Sequence, residues 1–251
     1  MIYEAELTVQ YIGRWSTDLG LKLPNSLTHK LTMHDEVGYL SDPDLSVDLE
    51  ALTMENLEAT VDSLAGDLSA AAKHKEAARR IRDGFTRGIL REASSAVPDM
   101  IEQLRPGFEK AVADYVEAVS ELPSDLTSDG LVKAGPEALA AFQAAQTAKA
   151  TISAVDSWVA KLLELPKYVG KPDPVLRVLK PTTRDELSKL LTAHSKAGNA
   201  LENQIGPLYF VAAKEGIEFT INTPQESEAI RAEIDAQPQP KRTGERWVSV
   251  R

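Results

Sequence analysis

The residues best suited to chemistry in this sequence are a few histidine and carboxylate side chains near the amino terminus. His29 is followed by His34-Asp35-Glu36, and imidazole and carboxylate groups are ligands that zinc and iron accept. A metal site needs about three such groups converging on one point. The alternating pattern here predicts a strand, on which positions 29 and 34 face opposite sides. We therefore expect a charged strand end, with His29, His34 and Asp35 as weak metal candidates and no bound metal.

The rest of the sequence contains no catalytic or nucleotide-binding motif. There is no cysteine, which removes disulfides, thiolate ligands and a thiol nucleophile. There is also no Gly-x-Ser-x-Gly elbow and no glycine-rich loop of the two common phosphate-binding types. We therefore expect no cofactor, and a role other than catalysis for the chain as a whole.

A second chemically distinctive feature is a basic segment within an acidic chain. The net charge of −10 argues against general attraction to nucleic acid. The cations of this segment are Lys73, Lys75, Arg79, Arg80, Arg82, Arg87 and Arg91. On a helix they flank an apolar face, where they either pair with acidic neighbours or form a docking surface for an acidic partner. No aromatic residues interleave with them, which argues against binding of single-stranded nucleic acid.

The carboxyl terminus has the composition of a tethered docking strand. A polar, proline-containing stretch over 236–246 precedes an apolar end that contains Trp247, Val248 and Val250. A strand of this kind can add to the edge of a neighbour's sheet through main-chain hydrogen bonds. The alternative is that the tail folds onto its own domain or has no fixed structure. The sequence does not decide between docking on itself and docking on a neighbour.

The elements that must position these groups are dominated by a long helical middle. Three apolar seams advance in steps of three and four, which keeps each seam on one helix face. The seams are Met54, Leu57, Val61, Leu64, Leu68 and Ala71; Val97, Ile101, Leu104, Phe108, Ala111, Tyr115, Ala118 and Leu122; and Ala145, Ala148, Ile152, Val155, Val159 and Leu162. Breaks at 94–98, 122–125 and 135–136 predict three antiparallel helices, and Pro106-Gly107 predicts a kink or split in the second.

The regions on either side of the helices are predicted to supply strands. Alternating apolar residues predict strands at 3–11 and 27–33, and further short strands at 175–179 and 217–221. The stretch from Leu208 to Ala213 fits either a strand or a helix. Thr183 with Glu186, and Thr223 with Glu226, have the spacing of a capping box and predict two helix starts.

The predicted fold class is therefore α+β and mostly α. It combines long antiparallel helix hairpins with a small sheet formed by strands from the N- and C-terminal regions. The predicted regions are N-terminal strands and loops at 1–45, a helical hairpin or bundle at 46–166, an α+β region packing with the N-terminal strands at 167–235, and an extended tail at 236–251.

The functional hypothesis from the sequence is a non-enzymatic structural or assembly protein. It acts as a homo-oligomer or by bridging other proteins, in the manner of capsid, appendage or scaffold subunits. The alternatives are a small hydrolase-type enzyme with a His/carboxylate site, and a nucleic-acid-associated factor that uses the basic helix at 73–91. No secretory signal and no membrane span is apparent, so we expect a cytoplasmic protein or part of a soluble assembly.

Overall fold

The computed structural model describes residues 2–40, 45–48, 50–123, 126–170, 173–196 and 198–238. Most of these residues are helical, and two short strands form an antiparallel sheet, so the predicted class is confirmed. The helices are α1 (Ile2–Gly13), α2 (Trp15–Leu19), α3 (Asn25–Gly38), α4 (Leu57–Ser120), α5 (Ser128–Ala134), α6 (Pro136–Lys161), α7 (Arg184–Ser195), α8 (Ala200–Ile205), α9 (Pro207–Glu215) and α10 (Pro224–Ala236), and the strands are β1 (Leu179–Lys180) and β2 (Glu218–Phe219).

The chain divides into two compact units. Unit 1 comprises Met1–Leu104 and Glu164–Lys167, and unit 2 comprises Arg105–Leu163 and Tyr168–Arg251. Helix α4 therefore contributes its longer first part to unit 1 and its last turns to unit 2.

In unit 1, α1 contacts both α2 and α3, and polar contacts join α3 to α4. The Glu92 carboxylate on α4 accepts hydrogen bonds from Ser26 and from Lys30 of α3. Burial raises the pKa of Glu92, but the bonds from Lys30 and Ser26 outweigh burial and hold the pKa below its ordinary value. Trp15 and Leu27 of the same unit are almost completely buried.

The strands predicted at 3–11 and 27–33 are wrong, because both segments are helical. On α1 the buried residues Val9 and Ile12 are three apart, and on α3 buried Leu27, half-buried Leu31 and buried His34 follow in steps of four and three. These steps of three and four match the period of a helix. The segments also contain strong helix formers such as glutamate and leucine, so the alternation at period two did not decide their structure. The N-terminal region therefore supplies no strand among its described residues.

The predicted break at 94–98 is also wrong, since α4 runs from Leu57 to Ser120 without interruption. Pro98 and Pro106 both lie on the exposed side of the helix. The buried stripe continues past both of them through Ile89, Ala93, Val97, Met100, Leu104, Phe108, Ala111 and Tyr115. A proline inside a helix costs about 3 kcal/mol, and the packing of this stripe outweighs that local cost.

In unit 2, α6 starts as predicted with Pro136 in its first turn, and α6 contacts α5 and α8. The predicted seam on α6 is buried along its whole length. An aromatic cluster of Tyr115, Tyr209 and Phe219 links α4, α9 and β2, with ring centroids 6.3 to 6.5 Å apart. The Tyr115 hydroxyl donates a buried hydrogen bond of 2.8 Å to the Ile205 carbonyl.

The small sheet lies wholly in unit 2. Strand β1 pairs with β2 in antiparallel register, with Leu179 opposite Phe219. Buried Asn222 supports this pairing, because its side-chain amide donates to the carbonyls of Leu176 and Leu179 at 2.7 and 3.1 Å. Both strands are shorter than the predicted segments, and the sheet takes its strands from the C-terminal half rather than from both ends.

The remaining helix predictions agree with the structure. Thr183 and Thr223 each cap a helix, and in both cases the glutamate three residues later completes a capping box. The stretch from Leu208 to Ala213 belongs to helix α9. No helix within the described parts of the chain has the length and apolar character needed to cross a membrane.

Candidate interaction surface

The three predicted seams differ sharply in burial. Every member of the second and third seams is buried. The first seam is not: Leu57, Val61 and Leu68 are 43%, 57% and 50% exposed. Three stripes with the same spacing therefore have two different environments. We call the residues of α4 at Leu57, Val61, Leu64, Leu68, Ala71, Lys75 and Ala78 the open seam.

The open seam lies on the same helical stripe as residues that the protein buries. The alternating steps of three and four continue from Ala78 to Arg82, Phe85 and Ile89. Ile89 is fully buried, and Arg82 is held by residues of α1 and α3. Unit 1 therefore covers this stripe from about Arg82 onward and leaves it uncovered toward the start of α4.

A short segment before α4 covers part of one edge of the open seam. The side chains of Leu45, Val47 and Leu52 line a shallow groove together with Thr60 and Leu64. Leu64 is accordingly half buried, whereas Val61 on the other side of the stripe remains exposed. The cover is incomplete, and an apolar strip along Val61 and Leu68 still faces solvent.

The basic segment predicted at 73–91 is largely solvent-facing. Lys73, Lys75, Arg79, Arg80, Arg87 and Arg91 are exposed, and Arg82 is half buried. Arg79 pairs with Glu76 and Asp83 at 2.9 and 3.0 Å, and Arg80 pairs with Glu76 at 2.7 Å. Hydrogen bonds from Arg79 and then Arg80 lower the pKa of Glu76 to about 2. Arg79 and Arg80 thus pair with acidic neighbours on their own helix. Surface pairs of this kind contribute little energy and exchange readily.

The two histidines named as weak metal candidates lie in different environments. His29 is exposed on α3, whereas His34 is 1% exposed. Asp35 is exposed, and its carboxylate lies 3.3 Å from His34 Nδ1. Within the ranges that the structure describes, no three His, Asp or Glu side chains are arranged to hold a metal ion.

His34 belongs instead to a partly buried polar cluster with Glu6 and Arg82. Arg82 Nε donates to His34 Nε2 at 3.3 Å, and Arg82 Nη2 donates to Glu6 Oε2 at 2.7 Å. Glu6 Oε1 also lies 3.5 Å from His34 Nε2. The cluster joins α1, α3 and α4, so these polar groups position the helices of unit 1. Sequence reasoning missed it because its members are remote in the chain.

Unit 2 contains a second polar cluster that the sequence did not reveal. Arg177 makes a two-pronged pair with Asp156 at 2.6 and 3.1 Å, and the Tyr209 hydroxyl donates to the same carboxylate at 3.0 Å. Burial, followed by the charge of Asp156, raises the pKa of Tyr209 well above its ordinary value. The cluster ties α6 to α9 and to the segment before β1.

The remaining candidates, Trp247, Val248 and Val250, lie outside the described residues, as does the stretch from 239 to 246. Comparison of the chain with protein-family models, with curated proteins and with solved structures finds no match. Its function is therefore argued from its own surface.

Proposed function

We propose that this chain is a non-enzymatic structural or assembly protein that works by self-association or by bridging other proteins. The observation that carries the proposal is the open seam of α4. A regular apolar stripe is buried everywhere else in the described helices that carry one, and here it faces water.

The energetics of the helix support a partner for this stripe. Most of the stability of a helix in a protein comes from packing of its apolar face rather than from intrinsic propensity. Covering a half-exposed valine or leucine gains about 1 kcal/mol. A partner along the open seam would therefore stabilise both the interface and the first turns of α4.

The sequence of the open seam is of a type that pairs with another helix. Apolar residues in steps of three and four are typical of coiled coils, in which each seam residue fits between residues of the facing helix. Val61, Leu64 and Leu68 lie on this seam, and small or polar residues occupy the outer face of the same turns. This pattern favours a protein partner over a small ligand.

The experiment that tests the proposal is light scattering combined with sedimentation over a range of protein concentrations. We expect the wild-type mass to exceed that of one chain and to fall on dilution. The double variant Val61→Glu/Leu68→Glu places charges on the open seam, so we expect it to remain a single chain at all concentrations.

A matched control places the same charges on the other side of the same helix. Ala59 and Ala70 are exposed and point away from the open seam, so Ala59→Glu/Ala70→Glu should associate like wild type. A wild-type protein that stays a single chain throughout, and is found with no protein partner, would contradict the proposal.

A further inference from the structure

We infer that the partner of the open seam is a second copy of the same chain, and that the two copies of α4 pair antiparallel with Val61 of one opposite Ala78 of the other. This inference rests on the proposed function, since it names the partner and geometry of the same surface. Three features of the helix carry it: the order of its charges, the spacing of its seam, and an apolar patch beside Arg82.

The charges along the start of α4 are separated by sign. From Glu55 to Asp67 the chain has four carboxylates and no lysine or arginine. From Lys73 to Arg82 it has five lysines and arginines and one carboxylate, Glu76. A helix with one acidic half and one basic half complements its own sequence when a second copy runs in the opposite direction.

The seam residues match in the antiparallel direction. With Val61 opposite the second copy's Ala78, Leu68 lies opposite Ala71, and Leu64 lies opposite Lys75. Each layer then contains one larger and one smaller or flexible side chain. Lys75 stacks its aliphatic stem on leucine and extends its ammonium group to water, instead of meeting another Lys75.

The rows that flank the seam also match. Reversal of direction sets each flanking row against the same row of the second copy. One row contains Glu58 and Arg79. In the inferred register, Glu58 of one copy lies within about two residues of Arg79 of the other along the helix axis, and symmetry creates this pair twice. The other row contains Asp67 and His74, which match in the same way. Arg79 is 54% exposed in its present pairs with Glu76 and Asp83, so it can reach a carboxylate on a second helix.

Other arrangements of the two helices lose these matches. Parallel pairing sets the acidic halves against each other and brings Lys75 against Lys75 inside the seam. Sliding the antiparallel pair by one heptad sets Asp67 against Asp67 in one direction and His74 against His74 in the other. The charges therefore favour one direction and one register.

An exposed apolar patch lies where the end of the second helix would reach. The position of a Cβ on Gly38 lies 3.3 Å from Arg82 Nη1, so the end of α3 runs beside α4 at this level. The next two residues, Tyr39 and Leu40, are 83% and 54% exposed. In the inferred register the second copy's Leu57 is level with Arg82, next to this patch. Pairing would thus cover apolar surface just after α3 as well as on α4.

The absence of cysteine from the chain permits a direct test of direction. Two full-length variants are made, Val61→Cys and Ala78→Cys, and each is oxidised alone and in an equal mixture. Positions 61 and 78 are about 25 Å apart along one helix, which exceeds the reach of a disulfide. We expect a disulfide-linked dimer in the mixture and little or none in either variant alone.

The outcomes separate the inference from the proposed function. Cross-linking of each variant with itself, in a protein that light scattering shows to be dimeric, would overturn the antiparallel inference and leave the assembly proposal intact. A dimer without any cross-link would overturn the register. A single chain at every concentration would overturn the inference, and it would overturn the assembly proposal as well if no other protein is found to bind.

A charge exchange provides a second readout that needs no cysteine. Glu58→Arg and Arg79→Glu should each raise the dissociation constant of the dimer, by about tenfold for two repulsive pairs, and Glu58→Arg/Arg79→Glu should restore it. In a parallel pair the two residues are about 30 Å apart, so the double variant would not be restored. If both single variants dimerise more weakly and the double variant does not regain the wild-type dissociation constant, the inferred direction would be overturned.

Discussion

Single polar residues in the interior join helices that are remote in the chain. Tyr115 is fully buried on α4, and its hydroxyl reaches the Ile205 carbonyl while its ring packs against Tyr209 and Phe219. The hydrogen bond therefore fixes the end of α8 relative to α4 within unit 2. His34 and Asp156 have comparable roles in their own clusters. Each of these side chains thus positions helices within its own unit.

Removal of one hydroxyl measures this role. We expect Tyr115→Phe to lower the free energy of unfolding by about 1–2 kcal/mol, because the Ile205 carbonyl is left buried without its donor. Denaturant unfolding followed by circular dichroism provides the measurement. Tyr39 is largely exposed, so Tyr39→Phe is the control and should have no effect. An unchanged midpoint for Tyr115→Phe would show that water replaces the donor.

Buried tyrosines also predict loss of stability at alkaline pH. Burial, then the charges of Asp18 and Glu164, raise the pKa of Tyr11 from 10 to about 12, and burial also raises the pKa of Tyr115. A raised pKa means that the unfolded chain loses the proton first. The stabilising contribution is thus complete below pH 10 and is lost as pH rises toward 12. We expect the unfolding free energy to fall over that window, and to fall less steeply in Tyr11→Phe. Equal slopes for variant and wild type would contradict this.

At the scale of elements, backbone constraints distinguish glycines that look alike in the sequence. Gly107 lies in the interior of α4, and a Cβ added there would meet nothing within 4 Å. Gly206 lies between α8 and α9 at a φ of +85°, and a Cβ there would lie 2.9 Å from the Tyr209 ring. A methyl group therefore fits at Gly107, whereas at Gly206 the Tyr209 ring leaves no room for it.

Alanine at the two positions should have opposite effects. We expect Gly107→Ala to stabilise the protein by about 0.5–1 kcal/mol, because alanine favours the helix and the site is open. Gly206→Ala should destabilise it, because the left-handed backbone and the Tyr209 contact both disfavour a side chain. Thermal unfolding of the two variants beside wild type measures the signs. A destabilised Gly107→Ala would show that α4 needs flexibility after Pro106.

The sequence predicts long helices and their caps better than it predicts short strands. The seams on α6 and on the second part of α4 could be predicted because their apolar spacing repeats over many turns. The capping boxes at Thr183 and Thr223 could be predicted because each involves residues only three apart. The prediction of N-terminal strands was wrong because α1 and α3 are short enough to fit both the period of a strand and the period of a helix. The continuity of α4 was not predicted, because tertiary packing of its buried stripe overrides the local effect of Pro98.

At the scale of the whole molecule, the candidate surface was only half predictable. The sequence predicts the spacing of the open seam but not its exposure, because the same pattern is buried in α6. Two of the three stripes are buried within the chain, and only the structure shows that the third is exposed. The polar clusters around His34 and Asp156 could not be predicted either, since their members are dozens of residues apart.

Association through the open seam makes a prediction about the stability of one long helix along its length. Among the described residues, the turns over 57–78 are covered only in part, by the segment at 45–52, so their amide hydrogens should exchange quickly when the protein is dilute. Those over 97–118 carry a fully buried seam and should exchange slowly at every concentration. Raising the protein concentration should slow exchange over 57–78 alone, because pairing covers that stripe and suppresses local unfolding. Hydrogen exchange read by mass spectrometry measures both regions in one sample, with 97–118 as the internal reference. Equally fast exchange over 57–78 at low and high concentration would show that this part of α4 does not pair with a second copy, and would contradict the inferred dimer.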